Sequence, residues 1–244
     1  MMAATPTSTA QPLLQPLQPA VRQNRGILAA LEKRALVWIA WRLPAWIGSD
    51  HLSAFGLSAM AAAGLSFAAL DRGFWAAAAV VFFLAMNWLG DSLDGTLARI
   101  RGHERPRYGF YVDHAIDLAG TTMLMAGLCA SGFMSPMLGL SVLVAYLLVS
   151  AESYLATHAL GVFRMSFLRI GPTELRILLV AGAIKAAATP DVTVMGVSFR
   201  LFDVGGSVAV IGLAIAFVVS AIRNGRTLYR TEPLPPSRQE SSAA

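Results

Sequence analysis

The sequence predicts an all-α integral membrane protein, with six transmembrane helices preceded by an amphipathic helix lying in the interface. Three observations predict it. Of 244 residues, 56% are hydrophobic and only 14% charged, whereas a soluble domain is nearer a quarter charged. Apolar runs long enough to span a bilayer, about 20 residues, recur between short polar breaks. Lys and Arg gather in alternate connections, as they do in loops on the cytoplasmic face.

Met1 to Ala20 is rich in Pro, Gln, Thr and Ala, with no basic stretch leading into an apolar run. Residues 1–21 therefore read as a disordered tail rather than a secretory signal, and 22–225 as one membrane domain. From Arg22 to Trp46, Leu28, Leu31, Leu36, Trp38, Ile39 and Trp41 are interrupted by Lys33, Arg34 and Arg42. Basic residues mixed with tryptophans suit a helix in the interface. Ile47 to His51 is a polar break.

The first span is expected from Leu52 to Leu70, rich in the Ala, Gly and Ser that permit close helix packing. Asp71-Arg-Gly73 is a turn. The second span runs from Phe74 to near Ile100 and takes in Asp91 and Asp94. A basic loop, Arg101 to Arg107, contains the helix breaker Pro106. The third span begins near Tyr108 and ends near Ala130, with Asp113 and Asp117 in its first turns. The fourth extends from Met137 to His158 and contains Glu152. A second basic loop, Phe163 to Gly171, holds Arg164 and Arg169, and the fifth span runs from Pro172 to Ala188. Val192 to Ser198 alternates weakly, as in a short hairpin. The sixth span covers Val204 to Ile222, and 226–244 is a polar tail.

Six spans put both termini on one side. That side carries the N-terminal basic residues, Arg99 to Arg107, Arg164, Arg169 and the basic residues after Arg223. The other carries little beyond Arg72, Lys185 and Arg200. By the positive-inside rule the first side is cytoplasmic, which makes an inner or plasma membrane the expected location. The net charge of +5 then reflects topology and contact with anionic lipid rather than nucleic-acid binding. Cys129 is the only cysteine, so the chain has no internal disulfide and no thiolate metal cluster.

Against this apolar background stand Asp91, Asp94, Asp113 and Asp117. An ionised carboxylate in hydrocarbon costs roughly 2.5–3.5 kcal/mol on the insertion scale, so four of them need a reason. Asp91 and Asp94 are spaced i, i+3, and Asp113 and Asp117 i, i+4, which puts each pair on one helix face. A short loop makes the two helices antiparallel neighbours, so the four carboxylates can converge. Hard oxygen donors favour Mg²⁺, Mn²⁺ or Ca²⁺, and two ions between four carboxylates serve phosphoryl transfer. Gly95 and Gly109 admit close approach to the backbone, and Arg99 is a bidentate phosphate donor. Together they describe a metal–diphosphate site.

The pattern Asp91-x2-Asp94-Gly95-x2-Ala98-Arg99, then Gly109-x3-Asp113-x3-Asp117, resembles the signature of the CDP-alcohol phosphotransferases, or CDP-alcohol phosphatidyltransferases. All eight signature positions are present. The nine residues between Arg99 and Gly109 are about one more than is usual. Ser49-Asp-His-Leu-Ser53 stands where the family has Pro-Asn-x-Leu-Thr. The resemblance implies metal-dependent transfer of a substituted phosphate from a CDP-alcohol, such as CDP-diacylglycerol, to an acceptor alcohol with release of CMP, in phospholipid synthesis. It implies Asp91, Asp94, Asp113 and Asp117 as ligands of Mg²⁺ or Mn²⁺, two ions in all, with Asp117 also the general base. It implies that Gly95, Ala98, Arg99 and Gly109 shape the nucleotide and diphosphate site. Relatives dimerise through their spans, which makes a homodimer an expectation here.

Other readings compete. An Asp-His-x2-Asp run, with His114 as base, resembles the choline and ethanolamine phosphotransferase branch that acts on diradylglycerol. A divalent-cation transporter would place its acids nearer the midplane. Glu152 either lines the acceptor pocket or pairs with Arg176. His158 reads as an ordinary residue at headgroup level. Arg164, Arg169, Glu174 and Arg176 either bind a phosphate of the acceptor or open an ordinary helix behind Pro172.

Overall fold

The computed structural model describes residues 27–160 and 172–232. The helices are α1 (Ile27–Arg42), α2 (Ser49–Ala68), α3 (Phe74–Arg101), α4 (Pro106–Ala130), α5 (Pro136–Leu160), α6 (Pro172–Ala188) and α7 (Leu201–Thr231), with one hairpin, β1 (Asp191–Val194) and β2 (Val197–Arg200). Among them α2, α3, α5 and α7 are long and apolar enough to cross a membrane. The first basic loop and all eight signature positions fall within the described residues. The second basic loop, with Arg164 and Arg169, lies outside them.

The helix ends follow local sequence rules. Gly102 closes α3 in the left-handed region at φ 66°, the usual place for a terminal glycine. Pro106 opens α4 two residues ahead of the expected Tyr108, because proline suits a first helical position. The polar break before the first span is itself helical from Ser49. The Gly48 amide donates to His51 Nδ1 at 3.0 Å. The last helix continues past Ile222 to Thr231, since the first proline after it is Pro233. The alternating stretch forms the hairpin, with Met195 and Gly196 both at positive φ (51° and 82°), as a two-residue type I′ turn requires.

The bundle is organised around α2, which packs along both α3 and α4, while α5 lies on α7 and α6 on α3. Two glycine crossings bring the backbones together. A Cβ on Gly90 would lie 2.9 Å from the Leu52 carbonyl oxygen and 3.0 Å from Gly56 Cα, and one on Gly127 would overlap the Gly64 carbonyl. Small residues suit such contacts in a lipid setting, where packing rather than the hydrophobic effect joins helices. Around the second crossing Ala63, Phe67, Val80, Leu84, Leu124 and Leu128 form the main core. Phe67 meets Phe202 of α7 edge-on at 5.8 Å. A smaller cluster of Leu36, Ala40, Leu52, Leu93 and Leu97 ties α1 to the site end of α2 and α3. Trp38 and Trp41 face outward, and Arg42 stacks on Trp38 at 3.7 Å.

The α2–α4 crossing can be tested directly. Gly127→Ala is expected to destabilise the protein by about 1–3 kcal/mol through overpacking against backbone. Gly212→Ala, whose added methyl meets nothing within 4 Å, is expected to be neutral or slightly stabilising. Thermal unfolding in detergent checks both, and equal midpoints would contradict the crossing.

Candidate active site

Helix α3 carries Asn87, Asp91 and Asp94 at i, i+4 and i+7, one stripe of its surface. Helix α4 carries Asp113, Ile116 and Asp117. Four residues, 102–105, join the two helices, so they run antiparallel side by side. Helix α2 crosses them with Ser53 and Gly56. Ser53, Gly56, Asn87, Asp91, Asp94, Asp113 and Ile116 line one small cavity of about 10 Å³, room for roughly a single water-sized species.

Each acid has its own surroundings. The Asp94 carboxylate accepts from Ser53 Oγ at 2.7 Å and from the Gly95 amide at 2.5 Å. Its carbonyl accepts from Ser49 Oγ at 2.5 Å. Asp91 accepts from Arg176 at 3.0 Å, an ion pair reaching across from α6 with the arginine side chain 12% exposed. Asp113 sits 3.7 Å from His114 Nδ1. Asp117 lies outside the cavity lining but within electrostatic reach of Asp113, Asp91 and Arg176.

Three more arginines, Arg99, Arg101 and Arg105, follow the α3 acids along the chain. Arg99 folds back so that its guanidinium lies 3.4 Å from where a Gly95 Cβ would stand, and it donates to Thr96 Oγ1 at 3.3 Å. A side chain at Gly95 would crowd that arrangement. Gly109 is exposed, with open space where its side chain would be, and Ala98 is half-buried. Arg101 donates to the carbonyls of Leu43, Pro44 and Ile47, and Arg105 makes a two-pronged contact with Asp50 at 2.7 and 2.8 Å. These contacts fasten the α1–α2 linker and the start of α2 to the rim.

The donor set fits a hard divalent cation: carboxylates, a hydroxyl and an amide oxygen around an ion-sized space. Among the described residues, no three carboxylate, imidazole or thiol groups stand close enough to hold one ion together. The cause is visible in the contacts above. Asp91 is turned to Arg176 and Asp94 to Ser53 and the Gly95 amide, so side-chain rotation would have to accompany ligation.

The structure thus brings three of the four predicted acids onto one cavity, with the fourth beside them and Arg99 and Gly95 a turn further out. Of the two readings of Glu152, it overturns the pairing with Arg176, which contacts Asp91. Glu152 instead accepts from Asn224 of α7 at 2.7 Å. His114 is buried, with Nδ1 2.6 Å from the Phe110 carbonyl, its ring stacked on Phe110 and edge-on to Tyr154. His158 is exposed. Sequence reasoning missed Asn87, Ser53 and the Arg176–Asp91 pair. Asn87 was findable as a polar residue one turn before Asp91 on the same stripe. Ser53 was findable from its place in the polar break, where the family has a threonine. The α6 pairing had no sequence signal.

With this geometry in place, comparison with known proteins is informative. The sequence profile described as CDP-alcohol phosphatidyltransferase matches residues 50–222. No curated protein matches the chain by sequence. The fold is similar to that of Mycobacterium tuberculosis phosphatidylinositol phosphate synthase PgsA1 with CDP-DAG bound, at 23% identity and a TM-score of 0.58, over 83% of this chain and 100% of that one. The same enzyme in complex with manganese and citrate aligns at 21% identity and a TM-score of 0.52, over 86% and 96% of the two chains. The profile spans well over half of the chain and contains the whole acidic constellation, and the protein belongs to the CDP-alcohol phosphatidyltransferase family.

Proposed function

We propose that this enzyme transfers the phosphatidyl group of CDP-diacylglycerol to an acceptor alcohol, releasing CMP, at the cavity between α2, α3 and α4. The observation that carries the proposal is the convergence of Asp91, Asp94 and Asp113 from two helices on one ion-sized cavity, inside the region matched by the family profile. The PgsA1 structure with CDP-DAG supports this donor, and the manganese complex supports a divalent ion.

In this reading Asp91, Asp94, Asp113 and Asp117 hold two Mg²⁺ or Mn²⁺ ions, whose charge offsets that of the diphosphate. Ser53 orients Asp94 by donating to Oδ2. Arg99 grips the diphosphate, and Gly95, Ala98 and Gly109 leave room for the nucleotide. Asp117 accepts the proton of the acceptor hydroxyl as its oxygen bonds to the β-phosphorus. The bond from that phosphorus to the bridging oxygen breaks, and CMP carries away the electron pair. His114 is buried with its ring packed between Phe110 and Tyr154, whereas Asp117 is only partly buried, which favours Asp117 over His114 as base.

The remaining topology belongs to the same proposal. Helices α2 to α7 form six spans, α1 lies in the interface with its outward tryptophans, and residues 22–225 make up the catalytic unit. With six spans, Arg101, Arg105, Arg107, Arg223 and Arg226 fall on the same side as the site and Arg72, Lys185 and Arg200 on the other, and that bias supports a site and termini facing the cytoplasm.

Release of CMP from CDP-diacylglycerol, measured with a panel of acceptor alcohols, is expected to require Mg²⁺ or Mn²⁺ and to stop on chelation. Asp117→Asn is expected to lower turnover by about 10²- to 10⁴-fold, the usual scale for loss of a general base. Turnover within threefold of wild type would remove Asp117 from that role. Arg99→Lys is expected to raise KM for the CDP-linked donor more than it lowers kcat, since an ammonium cannot reproduce a two-pronged phosphate contact. An unchanged KM would separate Arg99 from the diphosphate.

A further inference from the structure

Asn87 is a neutral amide in the apolar first two-thirds of α3, and no position of the family signature includes it. Its side chain is buried, at 6% relative exposure, and it lines the cavity with Asp91, Asp94 and Asp113. One end of the amide is accounted for: Nδ2 donates to the Gly56 carbonyl at 3.0 Å. That contact fixes which end is which, because a carbonyl oxygen can only accept and so must face the NH₂ group. Oδ1 is therefore the other end, and among the described residues it is buried with no hydrogen-bond donor. Leaving a buried acceptor unpaired is unfavourable, and every close titratable neighbour on this stripe is a carboxylate, which offers no proton when ionised.

A cation, or water held by a cation, suits an unpaired amide oxygen on a residue that lines a cavity with three carboxylates. Amide carbonyls are ordinary oxygen ligands of hard divalent ions. The position is also defined from behind. Gly56 and Gly90 let α2 and α3 approach so closely that a methyl on Gly90 would lie 2.9 Å from Leu52 O, and the Gly56 carbonyl grips the NH₂ end from that crossing. The NH₂ end of the amide is thereby anchored, on a residue that lines the cavity with the acids. We propose that Asn87 Oδ1 is a further oxygen of the divalent-cation site, closing its deep end, where Asp91, Asp94 and Asp113 close the others. The proposal rests on the reading of the acids as a cation site.

The test is a Mn²⁺ titration of the full-length, detergent-solubilised protein without nucleotide, following free Mn²⁺ by electron paramagnetic resonance. Circular dichroism confirms that each variant is folded. Asn87→Leu, which keeps the bulk and removes the oxygen, is expected to weaken Mn²⁺ binding roughly tenfold or more. An unchanged dissociation constant would overturn the proposal. Where Asn87→Leu does not fold, Asn87→Asp decides: a carboxylate beside the ion is expected to tighten Mn²⁺ binding several-fold. Unchanged or weaker binding would mean that the residue serves only the helix crossing. Asp113→Asn is the control for the underlying reading. If it binds Mn²⁺ as the wild type does, the acid site itself fails. If it loses Mn²⁺ while Asn87→Leu keeps it, only the role of Asn87 fails.

Discussion

Carboxylates carried on helices built for hydrocarbon must be compensated, and the site end of this bundle is arranged around that requirement. Each would cost roughly 2.5–3.5 kcal/mol in a lipid-exposed position. The offsets seen here come from three different elements. Arg176 of α6 pairs with Asp91, Ser53 of α2 donates to Asp94, and the amide of Gly95 on α3 donates to the same carboxylate. The acids therefore bind α2 and α6 to α3 through polar contacts.

Those contacts depend on how close α2 comes. A serine hydroxyl is short, and Ser53 reaches Asp94 only because Gly56 and Gly90 let the two backbones nearly touch. The second crossing, at Gly64 and Gly127, holds α2 against α4 in the same way about two turns further along. Helix α2 is thus fixed against both acid-bearing helices at once, and the separation of Asp94 from Asp113 is set by glycine packing as much as by the four-residue loop between α3 and α4. Fold and site share one cause: small residues on α2 that would be unremarkable in a water-soluble helix.

This division explains what was legible in the sequence. The acid pairs were readable because i, i+3 and i, i+4 spacing maps directly onto a helix face, and the family motif lies wholly within α3, α4 and their loop. Helix positions were readable from apolar runs bounded by Pro106, Pro136 and Pro172, each of which opens a helix in the structure. Contacts between elements distant in sequence were not. Arg176 and Asp91 are 85 residues apart, and Glu152 reaches Asn224 across 72. Nothing in spacing or composition distinguishes those partners from a Glu152–Arg176 pair, one of the two readings the sequence left open for Glu152, because the choice depends on which faces α5, α6 and α7 present after packing.

Depth through the site follows an electrostatic order. At the rim, Arg101 and Arg105 contact linker carbonyls and Asp50, where full charges are still solvated and ion pairs are weak. One level in, Arg99 lies over Gly95, facing the approach to the acids. Next come Asp94, Asp91 and Asp113, each with a polar or charged neighbour. Deeper along the same stripe stands Asn87, neutral and buried, hydrogen-bonded to backbone through its NH₂ group and lining the cavity with the acids. Formal charge falls as distance from water increases, which is the arrangement that lets an anionic ligand approach from the rim while limiting the number of ionised groups buried at depth. A fifth carboxylate in place of Asn87 would supply a stronger cation ligand, but it would add one more buried charge at the depth where desolvation is greatest. An amide contributes an oxygen without that charge, and it can also anchor itself to the α2 crossing through its NH₂ group, which a carboxylate cannot do.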